Sequence, residues 1–235
     1  MDRKYYEAYD DRYRQVHGAA LQWFADTPSP IVGQILERYG VDGRILEIGC
    51  GEGRDGGFLM EQGFDVLATD VSPAAIDYAR KQFPGYAERF EVLDCLRAKL
   101  DETFRFIYAV AVVHMLVPDE DRDGFYRFLR DHLTPDGLAL ICTMGDGKWE
   151  RQSDISTAFD LQERIHEPTG RTVRIAGTSC RMVSWDTFLE ELRRNGLTPV
   201  EKGLTAVEPD FPQLMYALVK KEKYDMIPTE RGVFT

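Results

Sequence analysis

Apolar positions along this chain repeat with two different spacings, and the alternation between them lays out the fold. Ile45-Leu46-Glu47-Ile48 is an apolar run of strand length, followed by a glycine-dense stretch and an amphipathic segment through Phe58, Leu59 and Met60. A second apolar run, Phe64 to Thr69, ends on Asp70. Ser72-Pro73 then supplies an N-cap and a first-turn proline for another helix. This is a βαβα unit with a parallel pair of strands. Strand and helix signals go on alternating from Val41 to about Met144.

The flanks read differently. Arg3 to Phe24 carries Tyr6, Tyr9, Tyr13, Val16 and Ala20 at helical spacing and reads as one amphipathic helix. Phe24 to Pro30 is a breaker-rich linker, and Ile31, Ile35, Leu36 and Tyr39 make a short helix that stops at Gly40. Past Met144 comes an insert, 145–181, with a polar helix-like run around Leu161 to His166, a Pro168-Thr169-Gly170 turn and the alternating Thr172-Val173-Arg174-Ile175. Its place above the carboxyl ends of the strands suits a lid, a substrate pocket or a dimer contact. Ser184 then caps a helix with Trp185, Phe188, Leu189 and Leu192 on one face. The expected organisation is a single domain, 1–235: a helical cap (1–40), a ligand-binding core (41–144), the insert (145–181), a C-terminal helix with the last strands (182–223) and a frayed tail (224–235).

The chemistry starts at the glycines. Gly49, Gly51 and Gly53 allow positive φ and let a ligand approach the main chain, while the first N–H groups of the following helix face the same space. Asp70 ends the second strand, where ligands of open parallel sheets bind, and a carboxylate there accepts from both hydroxyls of a ribose. The stretch therefore reads as a site for an adenosine-bearing ligand.

The register of the loop separates the candidate ligands. Gly51-x-Gly53-x-x-Gly56 matches the dinucleotide pattern, but the first glycine of that fingerprint follows its strand directly, and this strand ends at Ile48. Read from Gly49, the third position is Arg54, and the run is Glu47-Ile48-Gly49-Cys50-Gly51-Glu52-Gly53. This resembles the first motif of the class I S-adenosylmethionine-dependent methyltransferases. The similarity continues over roughly 31–221: Phe90 to Cys95 resembles their third strand, Phe104 to Leu116 the fourth and its exit, Leu133 to Gly137 the turn before a fifth strand at Leu138 to Cys142, and Thr198 to Glu201 with Leu214 to Lys220 the last two.

The resemblance implies an α/β, Rossmann-like, seven-stranded mostly parallel sheet with helices on both faces and an antiparallel last strand. It implies S-adenosyl-L-methionine as cofactor and S-adenosyl-L-homocysteine as product. It places Glu47, Gly49, Cys50, Gly51, Gly53, Arg54, Asp70, Val71, Asp94, Cys95 and Val110 at the cofactor, with Asp70 on the ribose and Asp94 on the adenine amino group. Related enzymes cover the cofactor with an N-terminal helix, which makes Tyr9 and Tyr13 candidates for its carboxylate. Arg54 would hold that carboxylate or organise the helix over it. His114, at the exit of the fourth strand, is the candidate catalytic base, against the plainer reading of a histidine that only shapes the pocket. His17 and His166 are weaker candidates. Arg105 and Val110 stand where the family commonly has polar residues, which weakens any polar substrate contact from that strand.

Composition and charge then narrow the partners. At 235 residues with 43% hydrophobic and 29% charged content, a globular domain with a full core is expected. Forty acidic against 29 basic residues give a formal charge of −11, which opposes a nucleic-acid partner. No apolar run approaches a membrane span and the first residues lack a signal-peptide core, so a cytoplasmic protein, monomer or homodimer, with no membrane association is expected. Cys50, Cys95, Cys142 and Cys180 are too dispersed for a CxxC pair, and His17, His114, His132 and His166 show no metal-ligand spacing, so no metal is expected. The chain lacks the Asn/Asp-Pro-Pro-aromatic motif of base-amino methyltransferases, a Pro-Cys dipeptide and the acidic loop of arginine methyltransferases. A small-molecule acceptor, methylated on oxygen, nitrogen or sulfur, is the expectation. Two other readings stay open: a non-catalytic binder of the same cofactor acting through a partner, which a pocket without room for an acceptor would favour, and an NAD-dependent oxidoreductase, which cofactor competition would reveal.

Overall fold

A computed structural model of the chain describes residues 3–166 and 169–222. The central sheet has seven strands: β1 (Ile45–Ile48), β2 (Val66–Asp70), β3 (Phe90–Val92), β4 (Phe104–Val110), β5 (Leu133–Met144), β10 (Leu197–Val207) and β11 (Phe211–Lys221). Their order is β10-β11-β5-β4-β1-β2-β3, and β11 runs antiparallel to both neighbours while the other pairings are parallel. This is the expected architecture. β1 and β2 are buried at every position, as strands covered on both faces must be.

Helices cover the two faces. α2 (Pro30–Tyr39), α3 (Arg54–Glu61) and α4 (Pro73–Gln82) bury Ile31, Ile35, Leu59 and Ile76 on one side; α5 (Asp119–His132) and α6 (Trp185–Arg194) bury Phe125, Leu129, Phe188 and Leu192 on the other. The helix ends follow the sequence signals. Ser72 accepts from the Ala75 N–H at 3.1 Å, Ser184 accepts from that of Thr187 at 3.3 Å, and Gly40 closes α2 at φ +56°.

Three local expectations fail. The N-terminal segment is not one helix to Phe24: a 3-10 turn at Tyr5–Glu7 leads into α1 (Ala8–Gly18), and the chain reverses at Ala20, φ +55°. The N–H groups of Trp23 and Phe24 go to the Glu52 carboxylate rather than to helix carbonyls, so the core takes over what the helix would have used. The run at 161–166 is a strand, not a helix. It forms β7 (Leu161–His166), paired antiparallel with β8 (Arg171–Ala176), because Val173 and Ile175 of β8 pack on Val16 and Leu21. β3 stops at Val92, because the chain turns at Asp94, whose side chain accepts the Leu96 N–H at 3.0 Å and whose carbonyl accepts those of Arg97 and Ala98. A second small ribbon, β6 (Arg151–Gln152) with β9 (Arg181–Met182), completes the insert. The tail from 224 lies outside the described residues. Among those described, no helix is long and apolar enough to cross a membrane.

Candidate cofactor and acceptor cavity

The carboxyl ends of β1, β2 and β4 open into a cavity of about 310 Å³. The glycine loop forms its floor. A Cβ on Gly49 (φ +74°) would lie 2.3 Å from Val112 Cγ2, and one on Gly51 (φ +53°) 2.6 Å from the Tyr13 hydroxyl, so both positions require glycine in backbone angle and in space. Gly53 caps α3 without any side-chain bond to the first turn, which leaves that turn's N–H groups for a ligand. This cradle, with its uncapped donors, fits the amino-acid end of an adenosyl cofactor.

Asp70 closes the cavity at the end of β2. Its Oδ2 accepts the Gly51 N–H at 2.9 Å and its Oδ1 that of Ser72 at 2.8 Å, which fixes the carboxylate and leaves further lone pairs facing the cavity. Burial pushes its pKa up to about 6, against the bonds from Ser72 and Gly51, which favour the charged form. Glu47, one strand over, is held well above the usual carboxylate range, first by burial and then by the charge of Asp55, and its Oε2 has no hydrogen-bond partner. Asp94 accepts from the Tyr6 hydroxyl at 2.9 Å and from the Leu96 N–H at 3.0 Å. Both cavity thiols are pushed upward by burial, Cys95 to about 12 and Cys50 well above its ordinary value, so neither is a ready thiolate.

The family whose profile matches, described as a methyltransferase domain, takes in residues 45–137. That match and the solved structures support a class I S-adenosylmethionine-dependent methyltransferase. Hemagglutinin 1 of Eikenella corrodens is 34% identical over 44% of this chain and 35% of its own length. A 2-heptyl-1-hydroxyquinolin-4(1H)-one methyltransferase of Mycobacteroides abscessus is 32% identical over 44% of this chain and 47% of its own. The matches thus span less than half the length of these curated relatives. Among solved structures, a TehB-like methyltransferase from Corynebacterium glutamicum is 26% identical, covering 92% of this chain and 97% of that one, with a TM-score of 0.56.

The fold brings most of the sequence candidates together. Glu47, Gly49, Cys50, Gly51, Arg54, Asp70, Val71, Asp94, Cys95, Val110, Tyr9 and Tyr13 all line the cavity. Gly53 does not. A Cβ there would meet Ala79 Cβ at 2.9 Å and Phe90 at 3.0 Å, so its glycine serves helix-to-strand packing. Tyr9 donates its hydroxyl to Ser179 O at 2.8 Å, committing that proton to the insert. Arg54 is held by Asp210 at 3.2 Å, Asp55 at 3.3 Å and Ser29 Oγ at 3.1 Å, so its guanidinium is engaged by the protein and none of these partners lies on α1.

His114 is not brought to the cavity. The 3-10 turn at Val113–Met115 directs Met115 to the cavity wall and buries His114, whose Nδ1 has no partner. Burial, then the charges of Arg122 and Arg12, lower its pKa to about 3. An imidazole so placed is neutral at physiological pH and a weak base, and the geometry gives the base role no support. His17 bonds Glu52 at 2.8 Å and His166 bonds Thr169 Oγ1 and Gln22 O, so each has a structural partner. The turn itself is set from below: Arg122, fully buried, donates to Val113 O at 2.7 Å and Leu116 O at 3.2 Å and pairs with Glu191 at 2.6 Å.

Sequence reasoning missed the residues that join the N-terminal segment to the core. Asp10 accepts from Ser72 Oγ at 2.7 Å and the Ala74 N–H at 3.0 Å, and Asp55 accepts from Ser29 N and Oγ, each at 2.6 Å. Glu52 stands at an open position of the glycine motif, and its partners lie about thirty residues earlier in the chain. The one available signal was an acid inside a turn that otherwise needs small residues.

Proposed function

We propose that this chain binds S-adenosyl-L-methionine in the cavity and transfers its methyl group to a small-molecule acceptor on oxygen, nitrogen or sulfur by in-line displacement, releasing S-adenosyl-L-homocysteine. The observation that carries the reading is Asp70, a buried carboxylate at the end of β2, fixed by the Gly51 N–H of the glycine loop and open to the cavity. Asp70 would take the ribose hydroxyls, the loop and the first turn of α3 the amino-acid end, and Asp94 the adenine amino group.

When bound, the cofactor supplies an already activated methyl group. The protein's work is therefore alignment and exclusion of water. Tyr6, Tyr9 and Tyr13 roof the cavity, and Val112, Met115 and Leu116 give it an apolar wall beside β4. With His114 neutral and turned away, the acceptor's own lone pair is the nucleophile, and a proton left on it passes to solvent. The net charge of −11 supports a small molecule over a nucleic acid, and a cytoplasmic monomer or homodimer fits the same reading.

Calorimetric titration with S-adenosylmethionine, S-adenosylhomocysteine and NADH in parallel tests the cofactor. Binding of the first two alone is expected, followed by methyl transfer on screening small thiols, phenols and amines. Binding of NADH alone would refute the reading. Tight binding of S-adenosylhomocysteine, with no turnover on any acceptor class, would favour a non-catalytic binder.

A further inference from the structure

We infer that Glu52 is a positioning residue that latches the segment 5–29 over the cavity, and that this roof lifts each time the cofactor exchanges. The inference rests on the reading of the cavity as an S-adenosylmethionine site. Eight of the residues lining the cavity lie between Tyr6 and Pro28, so the segment forms its cover rather than its edge. The Tyr13 hydroxyl sits directly on the glycine loop, 2.6 Å from where a Gly51 Cβ would be.

The cover is a folded-back strap, and one carboxylate grips both of its arms. Glu52 is 5% exposed. Its Oε1 accepts from His17 Nε2 at 2.8 Å on the outgoing arm and from the Trp23 N–H at 2.8 Å on the returning arm, while Oε2 accepts the Phe24 N–H at 3.0 Å. Between the two arms lies the reversal at Ala20, whose φ of +55° is a conformation that a residue with a Cβ adopts at a cost. Bonds to a buried charged acceptor are stronger than neutral ones, so three on one carboxylate outweigh the strain of the turn.

The two arms of the strap are anchored differently. The returning arm ends at Ser29, bonded twice to Asp55 at the start of α3. The α1 arm is tied to the insert as well as to the core: Arg12 donates to Ala176 O and Gly177 O, Gln15 accepts from the Ala176 N–H, and Val16 packs on Val173 and Ile175, while Asp10 accepts from Ser72 and Ala74. α1 and the β7–β8 pair therefore form one unit that swings about the Ser29 end when the Glu52 latch opens together with the Asp10 and Tyr6 bonds to the core. A latch of this kind sets how fast a ligand enters and leaves more than how tightly it binds, because both directions pass through the same open state.

The test is stopped-flow binding of S-adenosylhomocysteine, read through Trp23 in the strap, for the parent chain, Glu52→Ala and His17→Phe. His17→Phe keeps the ring that stacks on Tyr78 at 4.2 Å and loses only the bond to Glu52. In Glu52→Ala the association and dissociation rates should rise together by about tenfold or more, with Kd changed by less than about threefold; His17→Phe should raise both rates by a smaller factor. A rise in dissociation alone would make Glu52 an ordinary contact and overturn the inference. Unchanged rates in both variants would place the entry route elsewhere and overturn it too. If Glu52→Ala fails to fold, His17→Phe decides by the same criterion. A parent chain that binds no S-adenosylhomocysteine refutes the cofactor reading itself, and is recognised before any variant is compared.

Discussion

Asp70 should make cofactor affinity depend on pH in a direction the structure fixes. In the free protein burial holds its pKa near 6, raised from an ordinary 3.8. Two ribose hydroxyls donating to the carboxylate would favour its charged form and lower that pKa in the complex. Below pH 6 the free protein carries a proton on Asp70 that must leave before the ligand binds, so affinity is full above 6 and falls as pH drops through it. One pH unit below the free pKa, at pH 5, the loss is about elevenfold, or ~1.4 kcal/mol. The assay is calorimetric titration with S-adenosylhomocysteine from pH 7.5 to 5.0, repeated in two buffers of different ionisation enthalpy to count the proton released. Asp70→Asn serves as control: its affinity should be lower by roughly 2 to 4 kcal/mol, and the part of the slope due to Asp70 should vanish. A Kd constant within about twofold from pH 7.5 to 5.0 in the parent, or the same slope in Asp70→Asn, would refute the assignment of Asp70 to the ribose.

Other residues give sharp expectations. His114, with its pKa lowered to about 3 in the folded state, binds fewer protons than in the unfolded chain, so stability falls as pH drops below about 6.5. Urea unfolding should show His114→Asn losing about 2 kcal/mol less than the parent between pH 7 and 5; equal losses would refute the burial argument. Glu191→Ala leaves the fully buried Arg122 without its carboxylate and should destabilise by about 3 to 5 kcal/mol in the same measurement, against less than about 1 for the exposed Glu190→Ala. Ser72→Ala removes the cap of α4 and a partner of Asp10, and should cost about 1 to 2 kcal/mol, seen as a lower urea midpoint with unchanged m-value.

How much of this was legible in the chain follows from how local each signal is. The strands β1, β2 and, apart from Arg105 and Val110, β4 are runs buried on both faces, and a run of that kind states its own position in the sheet. The glycine loop and Asp70 are nineteen residues apart, joined by one strand-helix-strand step whose geometry is nearly fixed, so the bond from Gly51 N to Asp70 is implied once the motif is read. The hairpin at 161–176 had no such support. Leu161-Gln162-Glu163-Arg164 favours a helix by composition, and only the contact of Val173 and Ile175 with α1, some 150 residues earlier, makes it a strand. Tertiary packing overrode propensity there, as it did at Trp23 and Phe24, where a core carboxylate drew the N–H groups out of a helix.

His114 shows the same limit inside the site. Its place after β4 is correct, and the strand does point at the cavity through Val110, Ala111 and Val112. What the sequence does not encode locally is rotation. Ala111 takes φ +58°, the chain enters a 3-10 turn, and Arg122 from α5 seizes the Val113 and Leu116 carbonyls. Those two bonds set the facing of the turn so that Met115 meets the ligand space and the imidazole goes into the interior. On the proposed reading, an already activated methyl donor would not require a protein base, and a turn that presents thioether and aliphatic surface would keep water out better than an imidazole. The Arg122 and Glu191 pair therefore shapes the cavity as well as the core. Its two charges lie outside the cavity, yet their bonds to Val113 O and Leu116 O bear on which residues of the β4 exit line it.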